Sequence, residues 1–311
     1  MKIWEAILYA VFGGATELLP LSFSGHAAVL HEVFHLTGLT ETGGYYTRLG
    51  VTLGVVAAII LSFPGESRRF GREVLCVTGA RRRSRSDLTE RSLTRSVLIG
   101  LFALLPMLLS LIFVAMAERK TGLVVTALLF AVNGFVLYSA CRYPEGRKNG
   151  ERILVSDAAV VGVSRLAAIF PGLSSLGNSL AFGKFRGFEH EYNLHFAYLL
   201  TLSFQTVSVL YHLIRAVAFD SIAAGILPML VAMAVTAAVG YLAIQLMRYL
   251  FEQGRVYVFS YYCWDATALI LIRALIRAYK EANPCQQQPR KKHQPRRKSS
   301  PSGRRTKTAA S

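Results

Sequence analysis

The sequence predicts an all-α integral membrane protein, with about six transmembrane helices and two re-entrant helical hairpins arranged as an inverted repeat. Three observations predict it: long uncharged apolar runs, two pairs of short apolar segments broken at prolines, and the return of one layout in both halves. Of the 311 residues, 53% are hydrophobic. Residues 96–117, 121–141 and 221–247 contain no Asp, Glu, Lys or Arg, and 49–65 and 196–214 are nearly as long. A bilayer core of roughly 30 Å needs about 20 apolar residues in helical form. Only a helix satisfies its own backbone in lipid at that length.

Taken in order, residues 3–19 read as a short helix that stops at Pro20, and 27–36 as a second one. Neither is long enough to span, and a polar turn joins them. Residues 45–63 form a full span, followed by a basic loop over 64–91. The run 96–117 is a span carrying Pro106, and 121–141 returns after a very short turn. A polar connection, 142–151, leads to a short helix over 157–170 that stops at Pro171. Another short piece starts at 180–185, and spans follow over 192–214, 222–247 and 256–274.

The expected organisation is one membrane domain over 1–281, with halves at about 1–141 and 152–275. Residues 282–311 are rich in Gln, Pro, Lys and Arg and are expected to be a disordered basic tail. Each half holds an odd number of crossings, so the second copy inserts upside down. Such repeats place their site near mid-membrane, between broken helices.

The net charge of +17 raises the question of nucleic acid. The charge sits between and after the apolar runs, in a cluster with Arg81, Arg82, Arg83 and Arg85 and in the tail over 290–307. Loop charge that orients a membrane protein, plus a solvated tail, accounts for this, and no nucleic-acid partner is expected. The spacing of the four cysteines matches neither a metal site nor a disulfide framework. The first apolar segment contains Glu5 and Glu17 and lacks an Ala-x-Ala cleavage site, so it is read as part of the mature protein.

Two turns carry the chemistry. The first, with its flanks, runs Glu17-Leu-Leu-Pro20-Leu-Ser22-Phe-Ser24-Gly25-His26. Ionisable groups at membrane depth are costly and usually face a cavity. Pro20 removes a donor, Gly25 permits a close turn, and free N–H groups at a helix start can hold an anion. Glu17 and His26 are candidates for moving protons or helping to hold a metal, Glu17 above all. The bland alternative is a capping carboxylate and a satisfied helix-start histidine.

The second turn, Pro171-Gly172-Leu-Ser174-Ser175-Leu-Gly-Asn178-Ser179, has similar hydroxyls and amides without charge. Small polar residues also serve helix packing in lipid. Arg165 and Arg48 lie in apolar segments and require an anionic partner or water. Arginine grips phosphate bidentately, so a phosphate-bearing ligand is the candidate, set against internal pairing with Glu17 or Asp157.

These residues resemble the bacterial undecaprenyl-diphosphate phosphatase family, the bacitracin-resistance membrane proteins. Thr16, Glu17, Pro20, Ser22, Gly25 and His26 match its Glu-x-x-x-Glu and Pro-x-Ser-Ser-Thr-Gly-His pattern. Pro171, Gly172, Ser174 and, conservatively, Ser179 match its Pro-Gly-x-Ser-Arg-Ser-x-x-Thr pattern. Residues 187–200 and 259–262 resemble further family segments, so the likeness covers roughly 3–274. The departures are specific. Gly13 stands for the first glutamate and Phe23 for a serine at a proposed nucleophile position. Ser175 and Leu176 replace an arginine and a serine, and Arg48 and Arg165 stand where the family has glutamine.

The resemblance implies a multi-pass protein of the bacterial plasma membrane that hydrolyses undecaprenyl diphosphate to the monophosphate and phosphate, recycling the carrier for peptidoglycan synthesis. It implies catalytic roles for Glu17, His26, Ser22 and Ser24. The residues themselves put substrate binding on Arg165, Arg48, Gly172, Ser174, Ser175, Asn178 and Ser179, and the resemblance brings in a divalent cation, magnesium or calcium. A homodimer is carried as a candidate assembly. A non-catalytic polyprenyl-phosphate transporter or binding protein is the alternative, favoured by the lost serine and arginine. Binding of nucleic acid through the tail is a third reading, which deletion of 282–311 separates from the other two.

Overall fold

The computed structural model describes residues 3–34, 44–77, 122–150, 152–219 and 221–283, and these are helical with no strand among them. Two short helices open the chain, α1 (Ile3–Leu18) and α2 (Phe23–Phe34), followed by α3 (Tyr45–Ser62) and α4 (Pro64–Val77). Next come α5 (Leu123–Arg142), α6 (Val155–Arg165) with a 3₁₀ turn over Leu166–Ile169, and α7 (Ser175–Phe185). The long helices α8 (His190–Phe219), α9 (Ile222–Glu252) and α10 (Val258–Ala282) complete the order.

Five of the described helices, α3, α5 and α8 to α10, are long and apolar enough to cross a membrane. The sixth expected span, 96–117, lies outside the described residues. The expected basic loop begins instead as helix α4. Pro64 ends α3 because it offers no N–H, yet its fixed φ suits the first position of a new helix. Phe63 serves both helices, donating its N–H to the Ile59 carbonyl and accepting from Ser67 N. The last three spans run further than their apolar stretches, α10 to Ala282, because a helix continues past the hydrocarbon while its caps allow.

The chain divides into two compact units, Met1–Ala274 and Leu275–Ser311. In the second, Asn283 Nδ2 donates to the Tyr279 carbonyl at the end of α10. In the first, α3 packs against α1, α8 and α9, while α7 packs against α5, α6 and α8. Gly50 and Gly54 line the α3–α9 seam, where any Cβ would strike the α9 backbone. Small residues are how helices approach closely in lipid, where the hydrophobic effect gives no drive. Asp157, on α6, ties the polar connection to the end of α7. Its buried carboxylate takes Lys148 Nζ at 2.8 Å, Arg186 Nε at 2.8 Å and the Leu154 N–H at 3.2 Å. It is therefore not the partner of Arg165.

The layout of short helix, turn, short helix and long helix occurs twice, as α1–α2–α3 and α6–α7–α8. That places two broken turns in one unit.

Candidate functional site

The first turn is shaped by what its backbone cannot do. Leu19 N still reaches the Ala15 carbonyl, but Pro20 has no N–H and the helix ends. Ser22 then caps α2, its Oγ accepting the Gly25 N–H at 3.1 Å. His26 folds back onto this cap, with Nδ1 2.6 Å from the Ser22 carbonyl. A carbonyl only accepts, so Nδ1 carries the proton. Nε2 of the neutral ring then accepts, from Tyr262 OH at 2.7 Å. Ser24 Oγ is half-buried and 3.3 Å from Ser22 Oγ.

The second turn repeats the device. Ser174 caps α7, accepting the Gly177 N–H at 3.1 Å. Gly172 adopts φ +118°, and a Cβ there would sit 2.7 Å from the Thr126 carbonyl. Only glycine fits both the angle and the space. Ser175 begins α7, and its carbonyl accepts Ser179 Oγ at 2.9 Å. Asn178 Nδ2 donates to the Ser164 carbonyl at 3.1 Å, fastening α7 to α6.

The two turns meet. Ser22 Oγ also accepts the Gly172 N–H at 3.0 Å, and a Cβ on Gly25 would lie 2.8 Å from the same nitrogen. Asn133, fully buried on α5, holds both sides. Its Nδ2 donates to the Pro20 carbonyl at 3.2 Å and to Cys263 Sγ at 3.3 Å, and its Oδ1 accepts the Ser174 N–H at 2.9 Å.

The charges stand beside this junction. Glu17 Oε2 accepts Gln205 Nε2 of α8 at 3.2 Å. Arg165 is 3% exposed and donates to Ser179 Oγ at 2.7 Å and Thr201 Oγ1 at 3.1 Å, while its buried Nε has no hydrogen-bond partner. The charges of Glu17 and Arg165 act on one another. Arg48 lies in the first turn of α3, 5.9 Å over the Tyr45 ring. Its charge reaches Tyr9, which also feels Glu17.

The structure thus gathers Glu17, Ser22, Ser24, His26, Arg165, Gly172, Ser174, Ser175 and Ser179 around one junction, with Asn178 fastening its frame. Arg48 is set off towards Tyr45. Sequence reading did not single out Asn133, Gln205 or Thr201, and met Tyr262 only within a family-like segment. Their signal was faint: amides, hydroxyls and a phenol inside apolar spans, where each needs a partner.

The two departures at the first motif are neighbours in space. A Cβ on Gly13 would meet Val51 Cγ1 at 2.6 Å and the Phe23 ring at 3.7 Å. Phe23 packs edge-on against Tyr9, with centroids 5.2 Å apart. Aromatic and aliphatic groups fill this corner.

A model of the family described as bacitracin resistance protein BacA matches residues 6–269. The chain belongs to that family. It is 28% identical over 282 residues to an undecaprenyl-diphosphatase of Carboxydothermus hydrogenoformans, a match covering 88% of this chain and 97% of that protein. An undecaprenyl-diphosphatase of Halothermothrix orenii is 24% identical over 284 residues, covering 88% and 99%. Undecaprenyl-diphosphatase 3 of Bacillus cereus is 25% identical over 282 residues, covering 88% and 97%. With the family and five spanning helices together, the chain is a multi-pass protein of the bacterial plasma membrane.

Proposed function

We propose that this protein hydrolyses undecaprenyl diphosphate, or a related polyprenyl diphosphate, to the monophosphate and inorganic phosphate, recycling the carrier lipid. The observation that carries the reading is Ser22. Its oxygen sits between two N–H donors, one from each turn, which favour negative charge on it or on a phosphate oxygen beside it. In the proposed chemistry the Ser22 oxygen forms a bond to the terminal phosphorus as the bridging P–O bond breaks. The polyprenyl phosphate leaves with that electron pair, the serine proton passes to Glu17, and water then releases phosphate from the serine. Arg165 and the N-terminal amides of α7 neutralise the phosphoryl oxygens, where charge is carried in such transfers. Ser24, Ser174 and Ser175 supply further hydroxyls. The re-entrant, inverted arrangement of the two hairpins belongs to this reading, because it brings both turns to mid-membrane.

A divalent ion at the junction would find one carboxylate, Glu17, and would take its remaining oxygens from the substrate phosphates and water. Magnesium and calcium take six or more oxygens, usually with at least one or two carboxylates. Among the described residues no three His, Cys, Asp or Glu gather closely enough, and Glu17 is the one carboxylate at the junction.

The test is phosphate release from a C55 or C15 diphosphate by the purified protein in detergent, against a Glu17→Ala, His26→Ala control. Release above the control is expected; equal rates sink the enzyme reading. The apolar corner of Gly13 and Phe23 favours a second reading, a non-catalytic polyprenyl-phosphate binder or transporter. Lipid binding without phosphate release is its signature.

A further inference from the structure

A second cationic cluster stands apart from the junction of the turns. Tyr45 and Arg48 are three residues apart on α3, and His212 and Arg215 three apart on α8, so each pair shares a helix face. The pairs come together at the Tyr45 ring. Arg215 donates to Tyr45 OH at 2.7 Å and lies 5.0 Å over the ring, with Arg48 at 5.9 Å. Phe219 closes the group, its ring 6.0 Å from that of Tyr45 and 4.7 Å under Arg215. The charges of Arg48 and Arg215 both act on His212, whose Nδ1 is buried without a hydrogen-bond partner.

The cluster is continuous with the first site. Gln205, which holds Glu17, and His212 are seven residues apart, on one face of α8 and about 10 Å along it at ~1.5 Å per residue. Ser208, buried between them, keeps that face polar. Tyr9, on α1, feels the charges of both Glu17 and Arg48. A polar track of this kind within apolar helices marks a wet, ligand-bearing path.

We propose that Arg48, Arg215, His212 and Tyr45 form a second phosphate-binding site, about two helical turns along α8 from Gln205, that holds a phosphate group on its way to or from the Ser22 junction. Two guanidinium forks, an imidazole and a phenol match the donors a phosphate dianion takes. The phosphate has two possible sources, a lipid head group or the inorganic product. The inference leans on the diphosphatase reading only for those sources.

The experiment is thermal stabilisation of the purified protein in detergent, titrated in one arm with inorganic phosphate and in the other with farnesyl phosphate. Arg215→Gln and His212→Gln are each expected to need roughly tenfold more ligand for the same stabilisation, the loss of one charge-assisted contact. A shift confined to inorganic phosphate identifies a site for the product; one confined to farnesyl phosphate identifies a site for the lipid head. Both support the proposal. Should Arg215→Gln not fold, Arg215→Lys keeps the charge without the fork and is expected to fall between. Wild-type titrations in both arms for His212→Gln and the folded Arg215 variant overturn it. Binding is read without turnover, so a protein that hydrolyses nothing but shows these shifts loses the enzyme reading alone.

Discussion

The turns at Pro20 and Pro171 are built alike and loaded differently. In each, a proline follows the end of a short helical segment, just after α1 in the first and after the 3₁₀ turn that ends α6 in the second, and a serine caps the next helix by accepting the N–H three residues on, from Gly25 or Gly177. Ser22 then takes a second bond from Gly172 N across the junction. Ser174 is tied across through its backbone, to Asn133 Oδ1. The first turn is flanked by Glu17 and His26, and the second is preceded by Arg165. A serine in a broken helix is therefore not evidence of chemistry by itself, since capping explains both. What separates them is the extra donor that reaches Ser22 from the other half.

The largest effect expected from breaking this arrangement is at Gly172. Gly172→Ala places a methyl against the Thr126 carbonyl at a φ that L residues rarely adopt, a strain of about 1–3 kcal/mol before the clash is counted. Loss of the folded protein or a sharply lower Tm in detergent is expected, with loss of any phosphate release. Next comes the pair of serines. Ser22→Ala is expected to cut phosphate release by about 10²-fold or more, the scale of losing one preorganised transition-state group. Ser174→Ala is expected to cost about 0.5–2 kcal/mol of stability as a lost cap while most activity remains. Equal losses in both would erase the distinction between the turns.

Asn133 sharpens the comparison, because it touches both turns. Asn133→Ala strands the Ser174 N–H and is expected to cost about 1–3 kcal/mol, read as Tm, with a fall in kcat. Asn133→Asp keeps the acceptor for Ser174 and loses the donor to Pro20, so it is expected to retain more of the second turn than the first. Tyr262→Phe is milder. It frees His26 Nε2 from its donor, and a displaced pH–rate profile with an unchanged Tm is expected.

The smallest effect lies away from the turns. Burial alone would raise the Asp157 carboxyl, yet hydrogen bonds from Lys148, the Leu154 N–H and Arg186, with the charge of Lys148, outweigh it and hold it below the ordinary value of 3.8. A carboxyl lowered by folding stabilises the fold above its unfolded pKa, and that contribution fades as pH falls through the folded one. Below about pH 4, the Tm of wild type is expected to approach that of Asp157→Asn; above it, the variant is the less stable.

Sequence alone establishes the class of the protein and the place of its turns. Uncharged runs long enough for a bilayer admit only helices, and prolines at 20 and 171 forbid two of the short ones from continuing. The motif residues around those prolines were legible because polar groups are conspicuous among apolar ones. Tertiary structure alone decided which serine receives two donors, that Arg165 donates to Ser179 and Thr201 while Asp157 is taken by Lys148 and Arg186, and that Gly13 and Phe23 share one corner. It also decided that Asn133 and Gln205, single amides in apolar spans, hold the site together. The reason is physical: a hydrogen bond between residues 22 and 172 depends on how two hairpins are pressed together by α5 and α8, and no local spacing encodes that distance.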